Sequence, residues 1–289
     1  MNRNAVLLSV ITIILWSTLA LIVSQLNHVT PFLNVGIALS IGGLIGVVKI
    51  REWRIPIKTV ILGIYGLFGY HYLLFTAFKY APAIETNLLN YLWPLLIVLL
   101  SPVFLAGYQL RFHHVIGAIV GFIGAGLIVS GGKLGLDIGN LKGYLFAASA
   151  AFIWASYSLL TKRVKPFPSA AVSLFCLVSG ILSLGIYFYT QPSLQEISSL
   201  STSDWINLIA LGVGPMGLAF LTWDGALKRG DPRIIGALSY LTPMLSTFNL
   251  IAWGGKSLTI ISVVAMVLIL FGAVIGSLDI SPAGRRITL

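Results

Sequence analysis

Apolar residues fill ten long stretches of the chain, separated by short polar or basic connections. The stretches are roughly 5–26, 32–50, 57–79, 83–105, 112–130, 142–162, 168–189, 204–227, 232–253 and 257–278. Most reach the ~20 residues an α-helix needs to cross a bilayer. The pattern therefore predicts an all-α integral membrane protein of ten transmembrane helices. The longest connection, around 190–203, is rich in Ser and Gln and reads as a surface loop, so no soluble domain is expected. No convincing small-residue cleavage pattern follows the first stretch, which reads as a retained span.

Composition sharpens this. Hydrophobic residues make up 57% of the chain and charged residues 9%, against about 25% charged in a soluble domain. A net charge of +10 would suggest a nucleic-acid partner in a soluble protein. Here the basic residues fall between apolar stretches, so their side matters more than their number. With ten spans, 14 of the 18 Lys and Arg fall on the side of both termini. Lys79, Lys133, Lys142 and Lys256 fall on the other side. The positive-inside bias then puts both termini in the cytoplasm and leaves the lipid bilayer, not nucleic acid, as the surrounding partner. The lone Cys176 reads as a small packing residue.

The chain also repeats itself. Asn90-Tyr91-Leu92-Trp93-Pro94 and Ser239-Tyr240-Leu241-Thr242-Pro243 lie 149 positions apart. Ile14-Leu15-Trp16-Ser17-Thr18 resembles Phe152-Ile153-Trp154-Ala155-Ser156, Ala77-Phe78-Lys79 resembles Ala226-Leu227-Lys228, and Gly124-Ala125 matches Gly272-Ala273. The matches keep their order, which predicts two five-helix repeats, 1–135 and 136–289. Five is odd, so the second repeat enters the membrane inverted, and the natural site lies at the midplane between halves.

Pro94 and Pro243 lack an N–H, which frees the carbonyls of Asn90 and Ser239 for another donor such as a substrate ammonium. The plainer alternative is a kink that only shapes packing. Asn87, Asn90, Tyr91 and Pro94 form one helical stripe, as do Trp154, Tyr157, Ser158 and Thr161. Ser9, Thr12 and Trp16, and Tyr65, Gly69, Tyr72 and Thr76, are weaker stripes. All are expected to face inward, either as cavity walls or as interhelical hydrogen bonds. Trp53, Tyr108, Tyr187 and Trp205 sit near span ends and read as interfacial belt residues.

Intramembrane ionisable groups are candidates for function. His71, beside Tyr70, is open to two readings, a proton carrier or a structural histidine. Asp224 either takes part in proton coupling or simply pairs with Lys228 one turn on. Lys79 and Glu85 read as snorkelling. The clusters around Gly42, Gly117 and Gly272 read as close helix packing, which favours a monomer. No phosphate loop, zinc spacing or nucleophile–base constellation is present, so neither enzyme activity nor a metal or cofactor is expected.

With Leu15-Trp16-Ser17-Thr18, Asn90-Tyr91-Leu92-Trp93-Pro94 and Phe152-Ile153-Trp154-Ala155, the whole chain resembles the EamA branch of the drug/metabolite transporter superfamily. That resemblance implies a bacterial inner-membrane exporter of Phe, Tyr and Trp, with other neutral amino acids as further substrates. The candidate binding residues are Trp16, Tyr70, His71, Asn87, Asn90, Tyr91, Trp93, Pro94, Trp154, Tyr157, Ser239, Tyr240 and Pro243. Export of another small neutral metabolite is the alternative. A membrane enzyme or receptor fits less well, since neither a polar cluster on one face nor a soluble domain is present.

Overall fold

A backbone amide surrounded by apolar side chains and lipid must find its partner within its own segment, and a helix satisfies that locally. The computed structural model describes residues 2–130, 132, 137–191, 193–253 and 259–277. Its helices follow the predicted stretches: α1 (Arg3–Gln25), α2 (Pro31–Trp53), α3 (Ile57–Tyr80), α4 (Ala83–Asn90 and Leu92–Phe104) and α5 (Phe112–Ser130). They continue with α6 (Ile138–Leu160), α7 (Ser169–Thr190), α8 (Thr202–Arg229), α9 (Pro232–Leu238 and Leu241–Ala252) and α10 (Ile260–Ser277). Among the described residues, seven helices are long and apolar enough to cross a membrane, and α5 and α10 contain shorter apolar helices. The boundary between residues 135 and 136, and the charges Lys133, Lys256, Arg285 and Arg286, lie outside the described residues.

Two helices carry an internal π-turn, Tyr65–Gly69 in α3 and Gly214–Leu218 in α8. These lie 149 residues apart, the same offset as the proline motifs. Two others break at those motifs, α4 at Tyr91 and α9 at Ser239 and Tyr240.

Helix pairing has the same symmetry. α2 packs along α7, α5 along α10, α3 against α6, α1 against α8, α4 against α6 and α1 against α9. Exchanging α1–α5 for α6–α10 leaves that set unchanged. The α5–α10 pair is the tightest, because Gly117 faces the backbone of Gly276 and Gly272 that of Gly121, with no room for a Cβ. Gly42 likewise lets α2 approach the backbone of α8.

Connections sort onto two faces. On one, Asn2, Tyr108, Lys162 and Asp231 surround a common pocket. On the other, His28 meets Asp204 at 3.3 Å, the Thr30 amide donates to Glu196 Oε1 at 2.6 Å, and Lys142 lies 3.9 Å from the Tyr80 ring centre. Tyr187 corrects the belt expectation: the 190–203 connection covers it to 1% exposure, and its hydroxyl points to the Ser193 carbonyl at 3.4 Å.

Candidate functional site

Four tryptophans from four helices meet at the centre of the molecule. Trp16 (α1) lies 5.9 Å from Trp93 (α4), 5.8 Å from Trp154 (α6) and 5.1 Å from Trp223 (α8), centre to centre. Trp93 is also 5.5 Å from Trp223. Most of these contacts are edge-on or tilted, the arrangement that sets a ring's positive edge against its neighbour's negative face. Phe220 and Tyr157 pack on Trp154 at 5.5 Å each, and Tyr70 at 5.4 Å.

Buried indole N–H groups need partners. Trp16 Nε1 donates to the Pro215 carbonyl at 3.1 Å, and Trp223 Nε1 to Ser158 Oγ at 3.1 Å. Pro215 belongs to the π-turn of α8, where an i→i+5 winding disturbs the ladder. The π-turn of α3 plays the corresponding part for α6. Gly66 there lies against the Tyr157 ring with no space for a side chain, and the Tyr65 hydroxyl is 2.8 Å from Ser156 Oγ. Each π-turn thus seats an aromatic residue from the other half.

The π-turn also corrects the stripe expected on α3. One extra residue in a turn rotates everything after it by about 100°. Beyond the turn, His71 and Leu74 are buried while Tyr72 points outward at 41% exposure. His71 Nδ1 lies 2.6 Å from the Leu67 carbonyl, which can only accept, so Nδ1 donates there. Its ring is 4.9 Å from Tyr70 and 6.3 Å from Phe220.

A polar edge of the cluster comes from the break in α4. Asn90 Nδ2 donates to the Tyr70 hydroxyl at 3.1 Å. Asn90 Oδ1, an acceptor, and, at the corresponding break, the Thr242 hydroxyl are buried without a partner in the described structure. Buried polar atoms are seldom left so.

Of the predicted residues, Trp16, Tyr70, His71, Asn90, Trp93, Trp154 and Tyr157 are brought together. Tyr91 and Tyr240 are not. Their rings belong to a separate cluster with Ala125 and Ile269 on α5 and α10, where the Tyr240 hydroxyl reaches the Tyr91 carbonyl at 3.4 Å. Ser239 is also corrected: its hydroxyl donates to the Ile235 carbonyl, and its own carbonyl accepts the Thr242 amide at 3.0 Å, so it is not free. A tighter i→i+3 bond replaces the one that Pro243 cannot make. Asn87 is half-buried, and its carbonyl accepts the Tyr91 amide. Pro94 and Pro243 are buried at the breaks. Asp224 is 2% exposed and meets Lys228 at 2.5 Å, the pairing reading.

Phe220 and Trp223 were not predicted. The repeat held the signal for the first, since Phe220 stands 149 positions after His71. Equivalent residues meet across the axis: Trp16 with Trp154, His71 with Phe220, and Tyr91 with Tyr240. No group of three or more potential metal ligands occurs among the described residues.

Comparison with known proteins places this geometry. Residues 3–130 and 141–278 each match the EamA-like transporter family. The chain is 40% identical over 286 residues to the aromatic amino acid exporter YddG of Ancylobacter novellus, covering 96% of this chain and 98% of that one. It is 30% identical over 265 residues to the YddG exporter of Escherichia coli, covering 85% and 87%. A solved crystal structure 39% identical in sequence superposes with a TM-score of 0.90, covering 96% of this chain and 97% of that one.

Proposed function

The chain belongs to the EamA-like transporter family, and from that premise we propose that it exports aromatic and related neutral amino acids by alternating access. The observation that carries this reading is the central aromatic cluster, edged by the unpartnered acceptor Asn90 Oδ1 beside Tyr70. Flat apolar walls suit a flat apolar side chain. The Asn90 amide oxygen suits an ammonium. The rings are in mutual contact, so a substrate must part them, and relative movement of the helices that carry them does so without breaking a helix.

The same reading takes the protein as ten spans in two inverted repeats, 1–135 and 136–289, in a bacterial inner membrane with both termini cytoplasmic. The exchange symmetry of the helix pairs and the matched π-turns support the repeats. The grouping of Asn2, Tyr108, Lys162 and Asp231 at one pocket, all on the basic side, supports the orientation. His71 is taken as a wall residue, Asp224 as the partner of Lys228, and the protein as a monomer.

Cells that overproduce an exporter of aromatic amino acids survive a toxic analogue. Growth in p-fluorophenylalanine should improve with the wild-type chain and not with Trp93→Ala at equal membrane abundance. Equal growth of cells with and without the wild-type chain would count against this substrate class.

A further inference from the structure

Beyond Trp223, the next turn of α8 leads out of the aromatic cluster to Asp224, Lys228 and Arg229. There a pocket of about 370 Å³ opens on the face of the amino terminus, lined among others by Asn2, Tyr108, Lys162, Lys228, Arg229 and Asp231. Two of its charges are spent. Lys228 Nζ lies 2.5 Å from Asp224 Oδ2 and donates to the Phe167 carbonyl at 2.7 Å. Asp231 is held by Arg233 Nε at 3.0 and 3.2 Å.

Lys162 and Arg229 are different. Lys162 Nζ donates to the carbonyls of Leu227 at 2.5 Å and Gly230 at 2.8 Å, and Arg229 to the Gly225 carbonyl at 3.0 Å. Neither forms an ion pair among the described residues. Carbonyl dipoles orient these cations but do not neutralise them. Asp231 acts on Lys162 and Asp224 on Arg229 through space, but those carboxylates are bonded to Arg233 and Lys228, so the pocket keeps a positive balance and both cations still have N–H groups to give. The second copy lacks this feature. Lys79, which corresponds to Lys228, lies over the Phe32 ring at 5.6 Å, and Phe75 stands where Asp224 does. The aromatic cluster draws rings from both halves, whereas the charged pocket belongs to one face.

A zwitterionic amino acid has one group that the aromatic cluster does not serve, its carboxylate, because no Lys or Arg lies among the cluster's rings and acceptors. Lys228 is five residues from Trp223, about 7.5 Å along the helix. We propose that this pocket is a loading site for the substrate carboxylate, held by Lys162 and Arg229 before the side chain moves among the tryptophans. The proposal rests on the amino acid exporter reading, and it makes recognition of the carboxylate one-sided.

The test uses the full chain in proteoliposomes, with labelled phenylalanine counterflow and competitors added to one face at a time. On the face of the amino terminus, phenylalanine should compete better than phenylalaninamide. Arg229→Gln, an exposed position, and Lys162→Gln should each reduce that preference about tenfold, leaving the opposite face unchanged. A preference that survives both substitutions, or falls equally on both faces, overturns the loading site. If the wild type moves no phenylalanine, the exporter reading fails, and the pocket is judged by melting of the purified protein. Stabilisation by phenylacetate but not phenylalaninamide, lost in Arg229→Gln, upholds a carboxylate site. Stabilisation only by inorganic phosphate or phosphatidylglycerol, or none at all, overturns it.

Discussion

Asn90 carries two demands at once, since its amide nitrogen serves Tyr70 and its oxygen serves nothing in the described structure. If that oxygen meets the substrate ammonium, Asn90→Ala should weaken phenylalanine about tenfold, by the worth of a charge-assisted hydrogen bond. It should leave 3-phenylpropanoate, which has no ammonium, unaffected. Inhibition of counterflow by the two compounds measures this, and an equal loss for both would remove Asn90 from substrate recognition. Stripe patterning made Asn90 legible, because polar residues in an apolar helix stand out. Phe220 and Trp223 were not legible that way, since an aromatic residue in an apolar stretch looks the same on a lipid face as at a midplane.

The π-turns decide which faces of α3 and α8 look inward, and a period of 3.6 residues cannot reveal them. That is why Tyr72 was expected inside and is exposed, while Tyr70 and His71 are the residues that reach the cluster. The breaks at Tyr91 and Tyr240 were legible as prolines, but the direction of the two tyrosines was not, because it depends on packing against α5 and α10. Close packing of that pair gives an element-scale prediction. Gly117→Ala should destabilise the protein by about 1–3 kcal/mol through overpacking, whereas Gly185→Ala, with open space at its Cβ, should change little. Urea unfolding in detergent compares the two, and an unchanged Gly117→Ala variant would contradict the α5–α10 contact. At the start of α9, Asp231 accepts the Arg233 amide as the helix cap. Burial pushes its carboxyl up, but the hydrogen bonds from Arg233 outweigh this and hold it below the usual range. A depressed folded value means stabilisation that is full above the ordinary Asp pKa, ~3.9, and is lost as pH falls through the folded one. The melting temperature of the wild type should therefore drop on acidification through that window more than that of Asp231→Asn.

Across the whole molecule, hydropathy alone outlines the helices, because lipid leaves the backbone little choice. The two-sided charge count anticipated which connections share a face, and the structure groups Asn2, Tyr108, Lys162 and Asp231 accordingly. What sequence could not give is how the copies meet, because contacts between halves depend on three-dimensional packing. The result is a centre in which equivalent residues face each other, Trp16 with Trp154 and His71 with Phe220, and a margin in which the Asp224–Lys228 pair has only Phe75 and Lys79 at the equivalent positions. The central claim is that this aromatic centre selects the cargo. Counterflow of a panel of labelled amino acids in proteoliposomes, wild type against Trp154→Ala, tests it most directly. The account predicts that the wild type exchanges phenylalanine and tryptophan far faster than lysine or glutamate, and that Trp154→Ala erases that ranking while the protein still reconstitutes. Wild-type protein that exchanges another solute readily and ignores aromatic amino acids, or a Trp154→Ala variant with the ranking intact, would contradict it.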